Sequence, residues 1–390
     1  MSFKILSLDG GGIRGVITAR ILQEVERQIQ QQQGKSLHEY FDLIAGTSTG
    51  SILTAGIAAK KNSSELVQLY QEQGKQIFPI ERKERYKKIP SFLQPLIEAF
   101  SLPKYSHQGL INVLKNVLGD TRIKDVESPI MLILAYDTLY RNTTFFTNCH
   151  PDLGDRWYDD CHLWEICTAS TAAPTFFPPY KLEPVNKEKY GNWVFPHIDG
   201  GVAANNPALA ALSLVMRLSQ SSVSSAIKQK YNLDGINLED IAILSIGTGQ
   251  TGEPYLFDQV QNWRGLDWAQ HLIDIFMEPT SEVSSTICRQ IMGGFNSQRY
   301  LRLQFDLNER FQPHKVESYK DTRQVLKPGE RVNRFTQTPL TEEMDDTRDD
   351  ILRYLIDATS KFIDKGYTFY TRNDCGPQVK DAIASFIQAN

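Results

Sequence analysis

A serine that attacks esters needs a turn that projects its hydroxyl, a base for its proton, and hydrogen-bond donors for the oxyanion it creates. The sequence offers a candidate for each. Gly46-Thr47-Ser48-Thr49-Gly50 fits G-x-S-x-G, in which the serine occupies a strained strand-to-helix turn and glycines permit close approach on either side. Asp9-Gly10-Gly11-Gly12-Ile13-Arg14-Gly15 leaves successive backbone N–H groups bare, a cradle for a negatively charged oxygen. Asp199-Gly200-Gly201 carries a carboxylate on a glycine-freed loop, where it can act as the base. Singly these patterns are common; pentapeptides of this kind recur by chance, and Asp-Gly-Gly is usually a turn.

Each assignment has a rival. The glycine-rich run also reads as a dinucleotide-binding loop, but such a unit wants an acidic residue at the end of its second strand. Here that place is taken by the Ser48 turn, and Asp42 stands at the wrong end of the strand. An oxyanion hole fits better. Arg14 either fixes this loop through carbonyl contacts, faces a lipid phosphate, or is a surface arginine on the first helical turn. Asp137, after an apolar strand, reads as a loop anchor rather than as the base. His197 stands two residues before Asp199, so an extended strand would put both on one side.

The elements that must position these residues alternate between strand and helix, the pattern of a parallel sheet covered by helices. Phe3 to Leu8 reads as the first strand, Val16 to Ile29 as a helix ended by Gly34, and Phe41 to Ala45 as a buried strand. Gly50 to Lys60 is a small-residue helix. The apolar runs over 129–135 and 240–246 read as central strands buried on both faces. Trp164 to Ala173 reads as a helix stopped by Pro174. Thr341 is expected to cap a helix that starts with Glu342 and Glu343 and carries Leu352, Leu355 and Phe362 on one face. Periodicity weakens from about 250 to 340, and no element is assigned there.

Composition narrows the function classes. With 41% hydrophobic and 23% charged residues the chain can bury a large core, and a net charge of −4 gives no global field for nucleic acid or anionic membrane. No nucleic-acid partner is expected. Five cysteines, Cys149, Cys161, Cys167, Cys288 and Cys375, are odd in number and sparse, and no apolar leader opens the chain, which points to a cytoplasmic location. Cys149-His150 and Cys161-His162 mimic a zinc set, yet adjacent ligands rarely aim inward together. No metal or organic cofactor is expected. Residues 82–100, basic and then apolar, read either as a solvated face, the commoner meaning of a charge run, or as a site of transient membrane contact.

The segments SLDGGGIRG, GTSTG, ASTAAPTFFPP and DGGVAANNPALAAL together resemble, in that order, the motifs of patatin-like phospholipases. The resemblance is strong over 5–212 and weaker at 243–249 and beyond Thr341. It implies a three-layer α/β fold with a mostly parallel central sheet, and a catalytic domain over 1–320 with a C-terminal helical extension over 321–390 packed on it. It implies a Ser48–Asp199 dyad, oxyanion-hole amides from Gly10, Gly11 and Gly12 buttressed by Arg14, and motif glycines at Gly15, Gly46, Gly50, Gly200 and Gly201. The expected activity is acyl-ester hydrolysis on phospholipids, galactolipids or acylglycerols. The alternative carried beside it is a nucleotide-activated phospholipase effector in antiviral defence; a non-catalytic storage role is disfavoured by the intact Ser48 and Asp199. The sequence assigns no oligomeric state.

Overall fold

The computed structural model describes residues 2–79, 103–152, 154–252, 254–295, 297–309, 331–369 and 375–390, without the side chains of 266, 269, 270 and 272–274. The stretch 82–100, read as a solvated face or a membrane contact, lies outside the described residues.

Strand β1 (Phe3–Leu8) leads through the glycine-rich loop into α1 (Gly15–Gln33), which Gly34 ends in the left-handed conformation. Strand β2 (Leu43–Thr47) runs straight into α2 (Thr49–Ala58), and α3 (Ser63–Ile77) and α4 (Gln108–Leu118) follow. Next come β3 (Ile130–Asp137), β4 (Asn142–Thr147), α5 (Leu163–Ser170), β5 (Tyr180–Leu182), β6 (Phe195–Asp199) and α6 (Ala208–Leu218). The remainder supplies β7 (Ile241–Ile246), α7 (Gly265–Ile291), β8 (Tyr300–Leu303), α8 (Asp349–Lys365) and α9 (Val379–Ala389).

The fold is a three-layer α/β sandwich. Strands β3, β2, β1, β7 and β8 are parallel neighbours, while β4, β5 and β6 run antiparallel. Because side chains alternate across a strand, the sheet feeds two cores. Leu6, Leu8, Ile44, Met131 and Leu244 pack on one face with α1, α8 and α9. Ile5, Leu43, Ala45, Leu132 and Ile243 pack on the other with α6 and Cys288 of α7. The central strands are therefore mostly apolar, as a sheet covered on both sides requires.

One feature of the register matters for the site. β4 occupies one edge of β3, and β2 and β6 share the other end to end. Thr47 stands opposite Leu134, and Asp199 opposite the next residue, Ala135. The end of β2 and the end of β6 thus meet over adjacent residues of one strand.

Several boundaries differ from the sequence reading: the helix expected over Trp164 to Ala173 is Leu163–Ser170, and two other shifts bear on the site. The strand before Ser48 is Leu43–Thr47 and reaches the turn itself. The late helix begins at Asp349, not at Glu342. Residues 341–347 are held out of helix because their backbone braces the glycine-rich loop: Ile13 N–H donates to the Met344 carbonyl at 2.9 Å, and Arg14 Nη1 to the Glu342 carbonyl at 3.3 Å.

Candidate active site

Ser48 follows β2 directly, with φ 53° and ψ −125°, a left-handed conformation that a non-glycine residue adopts at a cost of about 1–3 kcal/mol. The chain turns here at close quarters. A side chain on Gly50 would overlap the Leu8 carbonyl oxygen, and one on Gly46 would overlap the Gly50 backbone. Ser170, at the end of α5, holds the turn: its hydroxyl donates to the Leu134 carbonyl at 2.6 Å and accepts the Ser48 N–H at 3.0 Å. Ser170 falls in the ASTAAPTFFPP segment singled out in the sequence, but nothing there marked it for this role.

Asp199 closes the other side. Its Oδ2 accepts the Ser48 hydroxyl at 2.6 Å, and its Oδ1 accepts the Gly201 N–H at 2.7 Å. Gly200 passes so near Leu134 that a side chain there would meet its carbonyl oxygen. Burial pushes the Asp199 carboxyl up to about 6, against the two hydrogen bonds, which favour the charged form. His197 is buried on β6, with Nδ1 3.0 Å from the Phe195 carbonyl and Nε2 3.0 Å from the Thr144 hydroxyl. Both its nitrogens are engaged away from Ser48. Asp137 Oδ1 accepts the Leu139 and Tyr140 N–H groups at 2.7 and 3.3 Å, the loop anchor expected of it.

The glycine-rich loop comes up from β1 on the far side of Ser48. The Gly10 N–H donates to the Asn205 carbonyl at 3.1 Å, while the Gly11 and Gly12 N–H groups have no hydrogen-bond partner among the described residues. The amides left for a ligand are therefore those of Gly11 and Gly12, not Gly10. Gly12 has φ 59°, and a side chain on it would strike the Met344 carbonyl. Gly15 opens α1 against the Thr49 and Tyr70 side chains. Arg14 is buried rather than a surface residue, and it reaches Glu342 as described above.

Three residues far along the chain secure this loop; Asn205 and Thr248 lie in segments singled out in the sequence, but no local pattern gave any of the three this role. Thr248 donates its hydroxyl to the Gly10 carbonyl at 2.8 Å, and Asn205 Nδ2 donates to the same oxygen at 3.4 Å. Arg302, on β8, pairs with Asp9 in the protein interior, at 2.9 Å through Nη1 and 2.5 Å through Nη2.

A pocket opens beside Ser48 and Asp199. Its walls are apolar: Ile52 from α2, Ile77 from α3, Leu110 from α4, then Phe78, Phe176 and Phe177. Met277 of α7 and Met344 complete it. The Cys-His pairs lie elsewhere and go separate ways, with Cys161 Sγ 3.9 Å from the Glu183 carbonyl and His162 Nδ1 2.9 Å from Glu165.

A family model described as patatin-like phospholipase matches residues 6–212. Patatin-like protein 1 of Arabidopsis thaliana is 32% identical over 330 residues, spanning 78% of this chain and 75% of its own. Probable inactive patatin-3-Kuras 1 of Solanum tuberosum is 30% identical over 318 residues, spanning 77% and 78%. This chain belongs to the patatin-like phospholipase family. Among solved structures, human GIVD cytosolic phospholipase A2 aligns with TM-score 0.39 and 11% identity over 100% of this chain and 58% of that one. Membership carries lipid acyl hydrolysis as the class of reaction. In this patatin-like phospholipase the matched span holds the glycine-rich loop, Ser48 and Asp199, whereas Thr248, Arg302 and Met344 lie beyond it. No helix among the described residues is long and apolar enough to cross a membrane.

Proposed function

We propose that the protein hydrolyses long-chain acyl esters with Ser48 as nucleophile and Asp199 as general base. The reading is carried by the 2.6 Å hydrogen bond from the Ser48 hydroxyl to Asp199 beside an apolar cavity of acyl-chain character. A carboxylate is ordinarily a weak base near pH 7, and a pKa raised to about 6 by burial brings it close to the working range. As Asp199 Oδ2 takes the hydroxyl proton, Ser48 Oγ bonds to the ester carbonyl carbon, and the carbonyl oxygen takes up negative charge. The Gly11 and Gly12 amides, with the positive end of α2, stabilise that charge. Collapse breaks the bond to the alcohol portion, which leaves with the proton from Asp199. Water then repeats the sequence on the acyl-enzyme and releases the fatty acid.

The cavity supports an acyl chain better than a headgroup, since Ile52, Ile77, Phe78, Leu110, Phe176 and Phe177 offer it no charge. Four buried free cysteines, Cys149, Cys161, Cys167 and Cys288, support a reducing, cytoplasmic setting. The core shared by α1, α8 and α9 supports treating 321–390 as an extension packed on the catalytic domain over 1–320.

Labelling with a fluorophosphonate tests the nucleophile. Ser48→Ala is expected to lose both the label and ester turnover while keeping its circular dichroism spectrum. Labelling that persists on another serine, with turnover intact, would reject the assignment.

A further inference from the structure

A surface helix normally turns its apolar stripe to the core and its polar face to water. Helix α7 departs from this over its second half, with serines on its inner side beside Cys288 and an apolar line on its outer side beside Glu282, Thr286 and Gln290. Its inward positions include Ser281, Ser284 and Ser285, all buried. Ser281 Oγ donates to Asp9 at 2.9 Å, Ser284 Oγ to the Asn206 carbonyl at 3.1 Å, and Ser285 Oγ accepts the Tyr300 hydroxyl at 3.0 Å. The outward line is Phe276, Val283, Ile287 and Ile291, exposed by 53%, 56%, 38% and 42%. Over 275–291 the only residue both charged and exposed is Glu282. Phe295, 56% exposed, continues the line past the helix end.

Such a row loses free energy in water. Its size argues against a protein partner. From Phe276 to Ile291 the helix rises ~22 Å, and at a width of ~10 Å the strip covers only ~220 Å², against ~800 Å² per partner in a stable protein interface. A lipid surface needs no matching shape. At the N-terminal end of α7, Trp268 is exposed and its ring lies 5.0 Å from that of Trp263, and tryptophan is the residue type that settles at headgroup level. Met277, next to Phe276 but on the inner side, lines the cavity beside Ser48 and Asp199.

We propose that the outward face of α7, through Phe276, Val283, Ile287 and Ile291, is a docking surface for a phospholipid bilayer. It rests on the lipid-hydrolase reading of the neighbouring cavity, and it sets that cavity about one helix diameter, ~10 Å, from the lipid. Binding is driven by apolar burial, so it withstands salt.

The test uses a Ser48→Ala chain, which consumes no lipid, sedimented with phosphatidylcholine vesicles. Adding Val283→Ser and Ile287→Ser is expected to weaken vesicle binding by about tenfold or more, and binding of the parent is expected to hold as salt rises from roughly 0.1 to 1 M. With Ser48 intact, the same double variant keeps its rate on a soluble short-chain ester, which reports an intact fold. The milder Val283→Ala/Ile287→Ala pair is expected to fall between. Equal vesicle binding in parent and variants, no binding by the parent, or binding abolished by salt overturns the proposal. So does a parent dimer in light scattering that the variants split while vesicle binding stays unchanged. Because vesicle binding and soluble-ester turnover are separate readouts, this surface and the Ser48 assignment can fail independently.

Discussion

Arg302 and Asp9 are 293 residues apart in the chain and form a buried ion pair beneath the glycine-rich loop, with Nη2 to Oδ2 at 2.5 Å. Ser245 accepts from Arg302 at 2.8 Å, and Ser281 donates to Asp9 at 2.9 Å, so the pair is solvated by hydroxyls in place of water. Losing one partner strands the other's charge in the interior. Arg302→Met is expected to destabilise the protein by about 3–5 kcal/mol, and Asp9→Asn/Arg302→Met to recover part of that loss. Urea midpoints check it; a single variant as stable as the parent shows the pair to be dispensable.

The Asp199 carboxyl, held at about 6, couples activity and stability to pH in opposite directions. Its folded pKa lies above the unfolded value of about 3.9, so the fold favours the neutral acid. That contribution is complete below about pH 4 and is lost as pH rises through about 6, a penalty of about 3 kcal/mol at neutral pH from two units at ~1.4 each. Asp199→Asn is therefore expected to raise the melting temperature near pH 8 and to gain little near pH 4. Under the proposed dyad the parent's kcat/KM instead climbs with pH and is half-maximal near about 6. A rate that stays flat from roughly pH 5 to 8 would exclude Asp199 as the titrating base.

His197 is the more usual chemical partner for a serine, yet its ring is spoken for on both sides and burial lowers its pKa. His197→Gln is expected to keep turnover within about tenfold of the parent, against a loss of about 10²–10⁴ for Asp199→Asn. The reverse order of damage, in variants shown to be folded, would replace the dyad with a Ser48–His197 mechanism.

Gly12 combines a φ of 59° with the Met344 carbonyl where a side chain would go. Gly12→Ala must displace the loop, and with it an amide proposed to face the oxyanion. The expected loss is about 10²–10³ in kcat, the toll of one such donor, with KM on a short-chain ester little changed. A kcat near the parent's would make this loop structural only.

The parts of the site that could be read in the sequence are those whose physics is local. The turn at Ser48 needs its glycines within two residues, and the Asp-Gly-Gly step needs its freedom immediately after Asp199. The β–α alternation survives in periodicity because the central strands are buried on both faces. What could not be read depends on distant partners. Ser170, Thr248, Asn205 and Arg302 act through hydrogen bonds to residues distant in the chain, and no spacing announces those partners. The segment after Thr341 carries helix signals but is drawn into extended contacts by Met344 and Glu342. Helix α7 escaped assignment for another reason: its buried side is lined with serines and its exposed side with Phe, Val and Ile, so a search for an apolar inner stripe finds the wrong face.

The bracing of the glycine-rich loop also has an order in time. Ser48 and Asp199 are synthesised before Thr248, Arg302, Glu342 and Met344, the residues that grip the loop from β7, β8 and the approach to α8. A growing or proteolysed chain that stops short of Glu342 carries the serine and its carboxylate but not the full clamp, so lipolytic competence is expected only after Met344 has left the ribosome.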